Sequence, residues 1–219
     1  MEVTKPRVRH LAALTMMFAL LLGSAGSVWS APALLFEDFA WGTPKSELAK
    51  RPGASPGEGS FAGDLLLPEA IFASMPWNVQ LEFEKDRLVR VTLIERYSRE
   101  RMDAVTRQLR ADKFEMLSVL IDSTFLDLVK VLKTGGPDGV REEWARFVKD
   151  KTPERMIYAW FDTTGVVEDI KRLAGSLEQL LKAAPPETRE AEVILLRDPD
   201  TSAPGALLVS FSLPAMQQP

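Results

Sequence analysis

The stretch from Asn78 to Arg96, NVQLEFEKDRLVRVTLIER, leaves a chain few ways to fold. Val79, Leu81 and Phe83 alternate with Gln80, Glu82 and Glu84. After a charged turn, Val89, Val91 and Leu93 take up the same period of two. That alternation is the pattern of a β-hairpin with one face in a core and the other in water. Keeping Phe83 and Val89 on one face needs a loop with an odd number of residues, most simply Lys85-Asp86-Arg87. Glu82 then faces Arg90 as a favourable cross-strand pair.

The N-terminus has a different character and is set apart from the fold. Lys5, Arg7 and Arg9 give a positive start, Leu11 to Leu22 is an apolar run, and small residues follow at Gly23-Ser24-Ala25-Gly26-Ser27. Residues 1–33 thus have the layout of a secretory signal peptide, with cleavage after Ser30 or Ala33. The rival reading is an uncleaved inner-membrane anchor: no charge occurs from Leu11 to Phe36, and about 20 apolar residues cross a bilayer. The Gly/Ser content and Pro32 make that stretch a poor membrane helix. N-terminal sequencing of the exported protein separates the two forms. The expectation is therefore export to a bacterial periplasm or the exterior, with no stable membrane insertion after cleavage.

Cysteine usage points the same way. The chain has no cysteine, its single histidine is His10, and its only asparagine, Asn78, begins no glycosylation sequon. This argues against a disulfide-stapled eukaryotic secreted domain. Beyond residue 33 there remain 24 Lys and Arg against 30 Asp and Glu, a net charge of −6. A mildly acidic surface offers no footprint for nucleic acid or anionic lipid. About 186 residues suffice for one domain with its own core.

Along the chain, Leu34 to Ala40 reads as a strand, followed by a short helix capped by Thr43 with Pro44 at its first position. Residues 52–63, rich in Gly, Pro and Ser, read as a flexible loop. Asp64 to Ser74 reads as a short edge strand broken by Pro68. After the hairpin, Ser98 caps a helix that faces Met102, Val105 and Leu109 inward, and Phe114 to Ile121 is a buried strand. A helix from Thr124 ends at Gly135-Gly136, and another covers Pro137 to Lys149. Arg155 to Asp162, apolar on both faces, reads as the central and most buried strand. Gly165 to Ala183 reads as one helix with Val166, Ile170, Leu173, Leu177 and Leu180 on a stripe. A last hairpin pairs Ala191–Arg197 with Ala206–Leu213. The sum is a single α+β domain over residues 34–213, a mainly antiparallel or mixed sheet with helices packed against it, and a disordered tail at 214–219. No residue pattern aligns its two halves as a duplication.

Motifs remove more chemistry than they supply. Gly53-Ala54-Ser55-Pro56-Gly57 fits a nucleophile elbow by letter, but lies in a loop of a chain with no histidine beyond His10. Asp198-Pro199-Asp200-Thr201-Ser202 starts like a calcium loop but has Ala203 and Val209 where glycine and glutamate belong. Gly135-Gly136-Pro137-Asp138-Gly139 lacks the Gly-Lys-Ser/Thr of a phosphate loop. No catalytic residue, cofactor or metal is expected. Glu142-Glu143 and Glu168-Asp169 sit where acidic residues complement helix starts, and the basic run Arg96–Lys113 is interspersed with acids as on a solvated helix face.

What remains is a binding surface: the polar face of the hairpin (Gln80, Glu82, Glu84, Arg90 and Thr92) with the nearby aromatics Trp41 and Trp77. The partner expected there is an envelope protein or peptide. Two alternatives stand beside this non-enzymatic module. One is a carboxylate-based enzyme or small-molecule binder, which needs two acids converging in a pocket. The other is a scaffold anchored by its N-terminus.

Phe36-x-x-Phe39-x-Trp41-Gly42-Thr43-Pro44-Lys45-Ser46-Glu47-Leu48, together with Leu81-Glu82-Phe83-Glu84-Lys85-Asp86-Arg87-Leu88-Val89-Arg90-Val91, resembles a group of small exported bacterial α+β domains. These open with an aromatic strand and a Trp-Gly turn. The resemblance covers about 60 residues. It implies a non-catalytic envelope protein and carries over no functional residue.

Overall fold

The computed structural model describes residues 33–201 and 203–216, so the expected signal peptide lies, but for Ala33, outside the described residues. Three antiparallel strands form a meander: β4 (Leu65–Phe72), β5 (Met75–Glu84) and β6 (Arg87–Arg96). The helix α2 (Arg99–Ala111) then carries the chain to β7 (Phe114–Ile121) and β8 (Thr124–Asp127). The helix α3 (Leu128–Val148) leads to β9 (Arg155–Asp162). Two short helices, α4 (Glu168–Leu173) and α5 (Leu177–Ala183), precede the hairpin β10 (Glu190–Arg197) and β11 (Pro204–Ser212). With the two-residue β3 (Ser55–Pro56) at one edge, nine strands make one sheet in the order β3-β4-β5-β6-β11-β10-β9-β7-β8. Every ladder in it is antiparallel, which makes this a sheet-dominated α+β fold.

One face of the sheet is fully packed. Leu81, Val91, Phe211, Ala191 and Trp160 lie side by side across five strands, and Val79, Leu93, Val209 and Val193 form the next row. Val105 and Leu109 of α2 close over them, as do Leu35, Phe36 and Phe39 of a separate small sheet, β1 (Leu34–Phe36) with β2 (Phe39–Ala40). Phe36 stacks on Phe211 at 5.1 Å between ring centroids. The second half of α3 covers the far end of this face through Phe147, Trp144 and Val140.

The Trp-Gly-Thr-Pro segment clamps the hairpin rather than merely preceding it. The Gly42 N–H donates to Leu88 O, Leu88 N–H to Thr43 O and Lys45 N–H to Asp86 O. Gly42 holds φ +76° with open space where a side chain would point, so backbone conformation is what demands glycine there.

Several local expectations are corrected. Pro44, not Thr43, is the N-cap of α1 (Lys45–Leu48), because the Thr43 hydroxyl donates back to Ala40 O. Residues 52–63 are not a featureless loop: β3 and a 3₁₀ turn at Gly59–Phe61 lie within them. Pro68 does not break β4. It sits at a register shift between Leu67 and Ala70, where its missing N–H costs no ladder bond. Thr124–Asp127 is a strand, and the helix starts at Leu128, with Asp127 accepting from Lys130 N–H. The break at Gly135-Gly136 is real: Gly136 has φ 62° and ψ −166° inside α3. Gly165–Ala183 is not one helix. It divides at Gly175-Ser176, where Ser176 caps α5, and Leu173 is 68% exposed. β9 is less buried than β6 or β11, because only Ala159, Trp160 and Phe161 are fully enclosed. The tail begins with a 3₁₀ turn at Pro214–Met216.

The hairpin turn repays attention to register. Lys85 and Asp86, both at positive φ, form a two-residue turn that pairs Glu84 with Arg87, not the three-residue loop expected. The extra residue is absorbed as a bulge, with Phe83 opposite Leu88 but Glu82 opposite Arg90. Positive φ at both turn positions costs energy for residues other than Asn and Gly. Replacing Lys85 and Asp86 by Asn and Gly should therefore raise the unfolding free energy by about 0.5–1 kcal/mol in urea titrations. A loss of stability would refute this turn geometry.

Candidate functional site

The same period of two that builds the core faces every second side chain of the central strands to the sheet's other side. Three rows cross it. Asn78, Ile94, Leu208, Ile194, Ile157 and Leu120 form the first. Gln80, Thr92, Ser210, Glu192 and Ala159 form the second, and Glu82, Arg90, Ser212, Glu190 and Phe161 the third. At the β9–β7 end, Ala159, Phe161 and Leu117 are covered by Ala174, Leu177 and Leu180 of the α4–α5 region. Over β10, β11, β6 and β5, no described element packs on this face. Ile94, Leu208 and Ile194 join none of the hydrophobic clusters.

The two polar rows are joined by hydrogen bonds. The Thr92 hydroxyl donates to Glu82 Oε1 at 3.2 Å and lies 3.1 Å from Ser210 Oγ. With its one proton given to the carboxylate, Thr92 accepts from Ser210, so the three side chains form a directed chain. Gln80 Nε2 donates to Asp64 Oδ2 at 2.7 Å, and Arg90 Nε stands 3.8 Å from Glu82 Oε2. Gln80, Thr92, Ser210 and Ser212 are all buried, lying low among longer neighbours.

Four carboxylates (Asp64, Glu82, Glu190 and Glu192) thus share the face with Arg90. Burial is the main force raising the Glu82 carboxyl above its ordinary range. Arg90 and the Thr92 hydroxyl oppose the rise, while Asp64 and Glu192 add to it. Glu190 is pushed up to about 7, first by burial and then by the charge of Glu192, with Arg90 and the Ser212 hydroxyl only partly offsetting them. Beyond the Glu190–Ser212 pair the face continues to Thr188 and Pro214. These line a cleft of about 540 Å³ whose other wall is Glu178, Leu181 and Lys182.

Of the residues expected at a binding surface, Gln80, Glu82, Arg90 and Thr92 come together here. Glu84 lies apart, exposed beside the turn and opposite Arg87. Trp41 is half-buried against the core. Trp77 is no surface residue. Fully buried in the covered face, it donates from Nε1 to Phe72 O at 3.0 Å beneath the Arg101 guanidinium. Trp160 is buried in that same face, so these rings line no shared open groove. Asp64, Glu190, Glu192, Ser210 and Ser212 were missed. Glu190-x-Glu192 and Ser210-x-Ser212 alternate with buried Ala191, Val193, Val209 and Phe211, the same signal that exposed the first hairpin. The Asp198 loop is a hydrogen-bonded turn, its carboxylate accepting from the N–H groups of Asp200 and Thr201. Among the described residues no cluster of three or more acids is arranged to hold a metal ion.

Comparison of the chain with protein families, curated proteins and solved structures gives no match.

Glu190 makes the face sensitive to pH. The folded carboxyl keeps its proton up to about pH 7, whereas in the unfolded chain it is released near 4.5. Its contribution to stability is therefore full below pH 4.5 and lost as pH rises through 7. Glu190→Gln should abolish this loss, on the order of 3 kcal/mol, leaving the variant more stable than the parent at pH 8. Urea unfolding from pH 4.5 to 8 measures it. Parallel curves for the two proteins would contradict the assignment.

Proposed function

We propose that this chain is an exported, non-catalytic binding module of the bacterial envelope, and that the face of β5, β6, β11 and β10 that no described element covers is where it meets a partner protein or peptide. One observation supports this above the others. The central strands of a large sheet are packed with helices and apolar side chains on one side. On the other they carry half-buried isoleucine and leucine beside interlinked acids and hydroxyls, with no described element over them. A face of that composition at the middle of a sheet is the kind of surface that meets a partner. The signal-like layout of residues 1–33 supports export, and the resemblance of residues 36–48 and 81–91 to small exported domains agrees with it.

A second reading has one observation behind it. Glu190, its carboxyl pushed up to about 7, lies two positions along the same strand face from Glu192. An acid of raised pKa beside a second carboxylate is the device of a glycosidase, and a cleft adjoins the pair. Hydrolysis of a chromogenic glycoside that Glu190→Gln abolishes would favour this reading; no turnover across a panel of such glycosides would remove it.

The binding reading is tested by a photo-crosslinking amino acid placed at Leu208 on the open face and, as a control, at Glu142 on α3. The Leu208 form should give a discrete adduct with an envelope component, and the Glu142 form none. Identical adducts from both positions, or none from Leu208, would sink the proposal.

A further inference from the structure

The open face is bounded by a step. α4 and α5 lie on the sheet at the β9–β7 end, and a helix standing on a sheet is about 10 Å thick. Beside this step the four strands β10, β11, β6 and β5 have no described second layer, a width of about 15 Å between the outer two. A sheet from a second copy of this chain that reached beyond these four strands toward β9 and β7 would meet α4 and α5 at its edge. A single helix can lie in that layer, beside α4 and α5.

The side chains waiting there state what such a helix must carry. Ile94, Leu208 and Ile194 ask for apolar contact. Along the strands from them, the carboxylates of Asp64, Glu82 and Glu192 outnumber Arg90. On the far side of the apolar row, Arg96 and Arg155 are exposed at the rim. The surface is therefore acidic at one end, apolar in the middle and basic at the opposite rim. An anionic lipid surface would meet the acids unfavourably.

We infer that the partner presents an amphipathic helix that lies beside α4 and α5 where no described element covers the sheet, with leucine-like side chains on Ile94, Leu208 and Ile194 and lysines or arginines at Glu82 and Glu192. The inference rests on the binding-face reading above and names the chemistry of the partner. It makes the mode of recognition a helix laid in a groove, with charge fixing its direction.

The probe is an 18-residue fluorescent helical peptide of leucine and lysine, compared with its leucine–glutamate counterpart of the same apolar pattern. Anisotropy against the exported protein at physiological ionic strength reads the binding. The lysine peptide should bind at least tenfold more tightly. Glu82→Lys combined with Glu192→Lys should weaken it tenfold or more, and Leu208→Asp should do likewise. Glu142→Lys combined with Glu143→Lys, on α3, should leave it unchanged. Circular dichroism checks that each variant is folded, and the charge-reversed pair keeps the test open if Leu208→Asp is not. Equal binding of the two peptides, or an equal loss in the α3 control, overturns the inference. So does a concentration-dependent dimer in sedimentation that Leu208→Asp dissolves, since a second copy would then be the occupant. If neither peptide binds while the Leu208 crosslink to an envelope component persists, the helix chemistry is wrong and the binding face stands. If both fail, the binding face fails with it.

Discussion

The pairing of β6 with β11 is the contact on which the rest of the molecule depends. It joins a meander from the first half of the described chain to a hairpin from its end, and the hydroxyls of Thr92 and Ser210 meet across 118 residues of sequence. Two independent alternations must agree for it to form. Val91 faces Phe211 and Leu93 faces Val209 on the covered side, while Thr92 faces Ser210 on the other. A slip of one residue would set hydroxyls into the core and phenylalanine into the polar rows, so each hairpin's pattern fixes the other's register. The aromatic cluster around Phe211, with Phe36, Phe72 and Phe114 within 6.4 Å between centroids, assembles only once that register is set.

The polar rows follow from the same pairing. Serine and threonine side by side in the middle of a sheet lose hydration, and each hydroxyl needs a partner. They find it in one another and in Glu82, so the chain from Ser210 through Thr92 to the carboxylate is a local solution to burial. Glu190 has a poorer one. It keeps a single hydroxyl, that of Ser212, and faces the charge of Glu192, and neutralising itself is the cheaper course. Its raised pKa is a consequence of where the register puts it.

Much of this was legible in the alternation of single strands. Each hairpin was found because Val79–Phe83, Val89–Leu93 and Leu207–Leu213 keep a period of two, and Ser98 announced α2 because a serine cap has a direct local mechanism. Features that local rules do not encode were not legible. The tight turns use Ala73-Ser74 and Lys85-Asp86 at positive φ, without the Asn-Gly that normally marks such turns. Thr124 and Asp127 are equally good caps, and only the pairing of Phe125 with Leu120 decides that the helix waits until Leu128. The stripe through Gly165–Ala183 looked continuous until the Gly175-Ser176 break turned Leu173 outward. For the candidate site, the β5–β6 half was visible as a polar strand face. The β10–β11 half carried the same signal but gained meaning only from pairing with β6. Trp77 was misplaced because a tryptophan near a strand end can face either way, and here Arg101 and α2 close over it.

Among the described residues α4 and α5 are held to one end of the second layer, and Asp127 shows why. One of its oxygens caps α3 through Lys130 N–H, and the other accepts from Leu177 N–H at the start of α5, 50 residues on. Lys133 of α3 donates to Arg172 O at the end of α4. A single carboxylate and a lysine thus tie α4 and α5 to the β7–β8 corner, where Leu177 and Leu180 find Leu117, Ala159 and Phe161 beneath them. For either helix to slide over β11 it would have to leave Asp127 with an unmatched oxygen and set leucines on Ser210, Ser212 and Glu190. The apolar gain from such a slide would be about 1.5–3 kcal/mol per leucine newly buried, but these leucines are buried already, so nothing offsets the lost hydrogen bonds. The helices stay at the corner, and the centre of the sheet keeps its second face uncovered by any described part of the chain.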